Sequence, residues 1–316
     1  MKSDIFLIMN LFNKIKKMYL QDFVFMNSFI ALFFIYLIFI LFANSNYVEL
    51  METTMRRFGL KLWSKDFIRN IEFAKDAEIA LKNGKFDYLE LFALPDSFME
   101  TKDIVKDMFG GVKTVIHAAH SIQGLDIGCK DEFDNNKKRL YDAQKFADLL
   151  DADIIILHPG MNNGEKFLDE SIRQFKAFND NRLTVENLPT YCSQTKRLLH
   201  GILPSEIKRF IDECGAKFCL DFSHAICGAN GCNIDIFEFL GEMVKLNPSM
   251  YHLCDGDVSS TNDSHLHFGE GNYNLRQLVL DFTTENALIT METGHGIPHS
   301  VEPWINDISY IRNIIK

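Results

Sequence analysis

Nine residues of the kinds that hold divalent metal recur along the chain, most of them at the end of a short apolar run. His117 closes VKTVIH and His158 closes ADIIILH. Glu186 follows LTV, Asp221 follows FCL, and His224 stands three positions beyond it. His252 sits in MYHLCD, Asp263 and His265 in NDSHLH, and Glu292 ends LITME. Singly, each has an ordinary explanation. A histidine in an apolar run is usually a hydrogen-bonded core or capping residue, and a loop aspartate is usually solvated. Glu186 and Asp221 are harder to dismiss, because a carboxylate beside a buried run needs a cation or donors. Jointly, nine histidine and carboxylate side chains with no cysteine among them form a nitrogen and oxygen donor set suited to Zn2+ or Mn2+. Nine exceed what one four- or five-coordinate ion takes, and suffice for two or three ions if a carboxylate bridges. Clustered divalent ions hydrolyse phosphate esters, because they lower the pKa of bound water and clamp the attacking and leaving oxygens.

These side chains meet only if the fold gathers the ends of successive runs. β-rich runs occur at 57–63, 87–95, 112–117, 152–158, 182–187, 217–222, 250–255 and 287–292. Helical stretches follow them at 65–82, 101–108, 131–150, 165–178, 204–214, 234–246, 274–283 and 301–315. Pro204 reads as a helix start and Gly215 as a stop. Eight such units predict an α/β fold, a (β/α)8 TIM barrel, in which active sites form at the carboxyl ends of the strands. A doubly wound open sheet would carry a glycine-rich phosphate turn after its first strand, and here that turn reads Trp63-Ser64-Lys65-Asp66. On the barrel reading the nine residues converge on one bowl.

The segments IHAAHSIQGLDIG, ILHPG, TVENLP, CLDFSHAICGA, YHLCDGD, NDSHLHFGEG and ITMETG resemble, in order, the motifs of endonuclease IV and the wider xylose isomerase-like barrels (AP endonuclease family 2). The resemblance runs over about 57–295. It implies up to three Zn2+ ions: one on His117, His158 and Glu186, a second on Glu186, Asp221, His252 and Glu292, and a third on His224, Asp263 and His265. It also implies hydrolysis of the phosphodiester 5′ to an abasic DNA site by a metal-bound hydroxide, with Glu186 bridging and Glu292 serving as ligand and candidate base. Several positions depart from the endonuclease pattern. His120 replaces a tyrosine that helps distort DNA, and Glu186-Asn187-Leu188-Pro189-Thr190-Tyr191 replaces Glu-Asn-Thr-Ala-Gly-Gln. Asp263-Ser264-His265 lacks an arginine, and Cys254-Asp255-Gly256-Asp257 lacks a lysine. The departures spare metal-binding types and remove cationic or DNA-reading ones, so trinuclear metal chemistry is better supported than abasic DNA as substrate. The alternative is a sugar or sugar-phosphate isomerase or epimerase of the same superfamily, with one Mn2+ or Mg2+ on Glu186, Asp221, His252 and Glu292. That scheme leaves His117, His158, Asp263 and His265 without a metal role.

The chain has 316 residues, 47% hydrophobic and 24% charged, which excludes disordered, collagen-like and disulfide-scaffold classes. Its net charge of -10 argues against a broadly basic nucleic-acid surface, though not against a metal-charged cleft. Residues 1–54 are a separate, hydrophobic segment, and 55–316 the expected barrel domain. Within the first, 23–43 hold 21 residues without a charge, enough for a transmembrane helix. The segment is also rich in residues with AT-rich codons, so a misassigned start, with translation from Met51 or Met55, is the competing reading. Seven cysteines form no CxxC pair, which suggests free thiols and a cytoplasmic barrel, with or without a single-pass anchor. His267, His295, His299, Cys219, Cys254, Lys138, Arg139 and the Gly269-Glu270-Gly271 turn read as loop, core or solvated-face residues.

Overall fold

The computed structural model describes residues 56–161, 167–192, 194–294 and 299–316. The strands are β1 (Arg57–Trp63), β2 (Tyr88–Phe92), β3 (Thr114–His117), β4 (Ile155–Leu157), β5 (Leu183–Glu186), a hairpin of β6 (Tyr191–Cys192) and β7 (Arg197–Leu198), then β8 (Lys217–Asp221), β9 (Met250–Leu253) and β10 (Leu288–Met291). All but the hairpin are parallel and close into an eight-stranded barrel, in which β5 neighbours β8 and β10 returns to β1. The helices are α1 (Asp66–Arg69), α2 (Ile71–Lys82), α3 (Phe98–Phe109), α4 (Phe133–Leu150), α5 (Phe167–Phe178), α6 (Pro204–Cys214), α7 (Phe222–Cys232), α8 (Ile236–Val244), α9 (Leu275–Phe282) and α10 (Glu302–Ile314). This is the expected (β/α)8 barrel.

Strands β2 to β5, β9 and β10 are buried along their whole length. Their outer faces pack under helices and their inner faces fill the barrel, so they read as continuous apolar runs rather than alternating ones. The main core lies between sheet and helices. A smaller apolar cluster of Tyr88, Val115, Ile154, Ile156, Cys219, Met250 and Leu288 plugs the barrel itself. Gly59 makes room for it, since a Cβ there would lie 2.4 Å from the Tyr88 ring. The strand period of two then sets what comes next on the inner face. Two residues beyond Tyr88, Val115, Ile156, Cys219, Met250 and Leu288 stand Glu90, His117, His158, Asp221, His252 and Thr290. The apolar plug thus turns into a polar layer at one level of the barrel, toward the carboxyl ends.

Three local expectations are corrected. The helix expected over 65–82 breaks at Asn70, whose side chain accepts a hydrogen bond from the Phe73 amide and caps α2. The stretch after β8 forms α7, ahead of the helix expected over 234–246. Its N-cap is Asp221, which accepts the His224 amide at 2.6 Å. Finally, between β5 and α6, where neither strand nor helix was expected, the chain forms the β6–β7 hairpin. The candidate transmembrane span 23–43 lies outside the described residues. Among the described residues no helix is long and apolar enough to cross a membrane.

Candidate metal centre

The carboxyl-end layer brings the nine expected residues together in three groups, two of which share a residue. Within each group, one nitrogen or oxygen of every member lies within 4.8 Å of the others: His117, His158 and Glu186; Glu186, Asp221, His252 and Glu292; and His224, Asp263 and His265. Glu186 links the first two. Its Oε2 lies 3.1 Å from Nε2 of both His117 and His158. Its Oε1 lies 3.1 Å from His252 Nδ1. The same Nδ1 is 3.1 Å from Glu292 Oε1 and 3.8 Å from Asp221 Oδ2. In the third group His224 Nε2 is 3.5 Å from Asp263 Oδ2, and His265 Nε2 also contacts that oxygen.

Backbone carbonyls orient most of the imidazoles. His117 Nδ1 meets Ala118 O at 2.7 Å, His224 Nδ1 meets Asn187 O at 2.9 Å, and His265 Nδ1 meets Glu292 O at 2.6 Å. A carbonyl only accepts, so each Nδ1 carries the proton and each Nε2 faces the site. Asn187 also stitches β5 to β8: its amide donates to Asp221 O at 3.0 Å and its carbonyl accepts from Asp221 N at 2.8 Å.

Two residues that sequence reasoning missed complete the layer. Glu90, fully buried in β2, lies 3.0 Å from His252 Nε2 through Oε2. Lys61 in β1 reaches across its registered neighbour Glu90, with Nζ 3.0 Å from Oε1, and also contacts Glu292. Both stand mid-run rather than at a run's end. The signal for Glu90 was the same as for Glu186, a carboxylate inside an apolar run, here YLELF.

The electrostatics show a crowd of anions. Burial pushes Asp221 up to about 7; the facing His224 opposes this, while Glu292, Glu186 and Asp263 add to it. Burial would also raise Glu292, but His252 and Lys61 outweigh it and hold the carboxyl at about 2. Burial works to lower His265, yet the adjoining Asp263 raises it to about 9. His158 moves the other way, down to about 4, because burial outweighs the pull of Glu186. Glu90, Glu186, Asp221 and Glu292 are all buried, and Lys61 is the lysine or arginine that contacts them among the described residues. Burial works to lower His224 and His252, yet the anionic groups around them raise both well above the ordinary value, so the buried carboxylates are balanced by imidazolium protons that a divalent cation could replace. The donor set, nitrogen and carboxylate oxygen, fits divalent metal, and these buried clusters could hold it.

Above the layer opens a cavity of about 550 Å3. Trp63 and Trp304, the only two tryptophans of the chain, both line it, with Phe92, Leu188 and Tyr191. Lys61 and Arg69 are the lysine and the arginine of the described lining. His120 forms part of the wall and stacks on His158, ring centroids 5.0 Å apart. The weaker candidates sort out as follows. His267 pairs with Asp307 at 2.7 Å, His299 is exposed, and His295 lies outside the described residues. Cys219 and Cys254 are buried free thiols. Arg139 is not on a solvated face: it donates to Gln123 O at 2.7 Å.

Comparison with known proteins agrees with this architecture. An uncharacterized protein of Methanocaldococcus jannaschii, MJ1311, is 25% identical over 225 residues, 61% of this chain and 69% of that protein. The crystal structure of endonuclease IV from Thermus thermophilus superposes with a TM-score of 0.58 at 20% identity, over 82% of this chain and 97% of that one. A D-tagatose 3-epimerase-like protein does so with a TM-score of 0.60 at 20% identity, over the same shares. At those identities the two structures speak to the fold. The family described as xylose isomerase-like TIM barrel matches residues 78–314. A closed parallel barrel with a histidine and carboxylate layer at its strand ends, matched over most of its length, places the chain in the xylose isomerase-like TIM barrel family.

Proposed function

We propose that the chain is a divalent-metal-dependent hydrolase of phosphate esters, with zinc as its ion and chemistry of the endonuclease IV kind. Abasic-site DNA is the first substrate to test. The observation that carries the reading is the division of nine histidine and carboxylate residues into three groups, with Glu186 common to two. A single-metal enzyme uses one such group and leaves the others idle.

Zinc held there would lower the pKa of bound water and clamp the attacking and leaving oxygens. The chain's own residues supply the rest. Glu186 spans the first two groups through its two oxygens. Glu292 lines the cavity and is the proposed acceptor of the attacking water's proton. The water oxygen bonds to phosphorus, the P–O bond to the leaving group breaks, and the leaving oxygen takes up a proton from solvent. Lys61 beside Glu292 adds a fixed positive charge at the cavity floor.

Elemental analysis of the purified chain should find close to three zinc ions. Cleavage of a duplex with one abasic site should fall about 10²–10⁴-fold in Glu292→Ala, the range expected for a lost acid–base group. Unchanged activity in that variant removes Glu292 from the mechanism.

The second reading, a sugar isomerase or epimerase, is favoured by the cavity, whose volume of about 550 Å3 suits a small molecule. It would use one Mn2+ or Mg2+ at Glu186, Asp221, His252 and Glu292, with carboxylates moving a proton between carbons. One manganese or magnesium per chain, with turnover of a sugar, would establish it.

A further inference from the structure

His252 is held the opposite way round from its neighbours. His117, His224 and His265 each meet a backbone carbonyl through Nδ1 and turn Nε2 toward the site. His252 turns Nδ1 toward Glu186, Glu292 and Asp221, and its Nε2 meets a buried carboxylate instead.

The direction of that contact is fixed from below. Thr290 Oγ1 lies 2.6 Å from Glu90 Oε2 and 2.8 Å from the Tyr88 hydroxyl. A carboxylate only accepts, so the single Thr290 proton goes to Glu90, and Tyr88 must donate to Thr290. Glu90 therefore accepts from Thr290 and from His252 Nε2–H, both on Oε2. Its Oε1 accepts no well-formed hydrogen bond and faces the Lys61 ammonium at 3.0 Å. With Nε2 keeping its proton toward Glu90, the Nδ1 proton is the one a metal would displace, leaving the Nδ1 lone pair of His252 facing the carboxylate group.

We propose that Glu90 is the positioning residue for the second metal position: held by Thr290 and Tyr88, it fixes the His252 tautomer and ring so that Nδ1 is the ligand atom. Histidine ligands commonly donate their other ring N–H to a carboxylate, carbonyl or water, which orients the ring and raises its basicity. The proposal rests on the metal-centre reading given above. It also assigns the fourth grouping of ligand-type residues, Glu90, His117, His252 and Glu292. Lys61 contacts both of its glutamates, so that grouping already holds a tethered cation and is not a further metal position.

The test is zinc binding by the full chain in competition with a chromophoric chelator, together with the visible absorption spectrum of the Co2+-substituted protein. Glu90→Ala should bind one ion of the set about 10–100-fold more weakly, the usual loss when such a partner is removed, and should shift the Co2+ bands. Glu90→Gln keeps an acceptor oxygen for His252 and should recover most of the affinity. That recovery distinguishes positioning from general damage. If Glu90→Ala does not fold, Thr290→Val takes its place: it removes the donor that holds Glu90, and should weaken the same ion by several-fold.

The inference is overturned if folded Glu90 variants bind every ion and show the same Co2+ spectrum as the wild type. Loss in Glu90→Gln equal to that in Glu90→Ala overturns it too, as does a fourth tightly bound ion in the wild type that Glu90→Ala abolishes. A wild-type chain that binds no divalent ion would sink the metal-centre reading itself, and this inference with it.

Discussion

At the residue scale the site is a set of acids and imidazoles that carry protons which a bound metal would displace. Asp221, pushed up to about 7 chiefly by burial, holds a proton in the metal-free barrel that the unfolded chain loses near its ordinary value of 3.8. The unfolded state therefore binds fewer protons across that window, and this contribution to stability falls as pH rises from about 4 to about 7. His265, raised to about 9 by Asp263 against its burial, contributes stability below its ordinary value of 6.5 that is lost as pH rises through about 9. His158, lowered by burial, runs the other way. Metal must expel the protons on Asp221 and His265, so its affinity should rise with pH while these two contributions decline. The melting temperature of zinc-loaded protein should accordingly exceed that of metal-free protein by a margin that widens from pH 5 to pH 8. A margin constant across that range would remove Asp221 and His265 from the metal positions. The sequence made these two residues visible because Asp221 ends an apolar run and His265 stands close to Asp263 and His267. It hid Glu90 and Lys61, because a charge in mid-run shows its direction only once the barrel closes and the inner face is known.

At the element scale the third group depends on one long loop. Asp263 and His265 lie between β9 and α9, on a segment tied down by Asp255. That buried carboxylate accepts the amides of Gly256 at 2.9 Å, Gly269 at 2.8 Å, Gly271 at 3.1 Å and Tyr273 at 3.1 Å. Gly271 passes so close that a Cβ there would meet Gly256 O at 2.4 Å. Removing the acceptor orphans several amides at once. Asp255→Ala should cost about 3 kcal/mol or more, since each unsatisfied group costs about 1–3 kcal/mol. For a domain of this size that is a drop of roughly 6–12 °C in Tm, and the ion of the third group should be lost or weakened. A variant with wild-type Tm and a full ion count would show that the loop holds without this anchor. The elements themselves were largely readable. Strands buried on both faces leave apolar runs, and Pro204 with Gly215 bounds α6 over the residues expected. The break at Asn70 was hidden because the amphipathic pattern runs through it. Helix α7 was hidden because Gly228 and Gly231 weaken its propensity. Packing explains both glycines, since a Cβ on Gly231 would lie 2.5 Å from Thr190 and one on Gly228 would lie 3.1 Å from Ile202.

At the scale of the whole molecule, charge and shape bear on the size of the substrate. The chain carries -10 overall, and Lys61 and Arg69 are the only lysine and arginine in the described lining of the cavity. A protein that tracks a duplex neutralises a row of phosphates, and log affinity then falls with log salt by about 0.9 per phosphate contacted. Two cationic side chains beside bound metal support contact with a few phosphates at most. The walls point the same way: Trp63, Phe92, Tyr191 and Trp304 offer apolar and aromatic surface to the group attached to a phosphate, above a floor of metal-ligand types. A small phosphodiester with aromatic substituents, such as bis(p-nitrophenyl) phosphate, should therefore be hydrolysed with higher kcat/KM than an abasic duplex. Binding of that duplex should show a slope no steeper than about -2. Replacing Trp63 by Ala should raise KM for the diester and leave kcat nearly unchanged, because the ring would bind substrate and transition state alike. A steep salt slope with efficient duplex cleavage would instead mean that cations beyond this cavity's described lining grip DNA, and the small-substrate reading would fall while the metal chemistry stood.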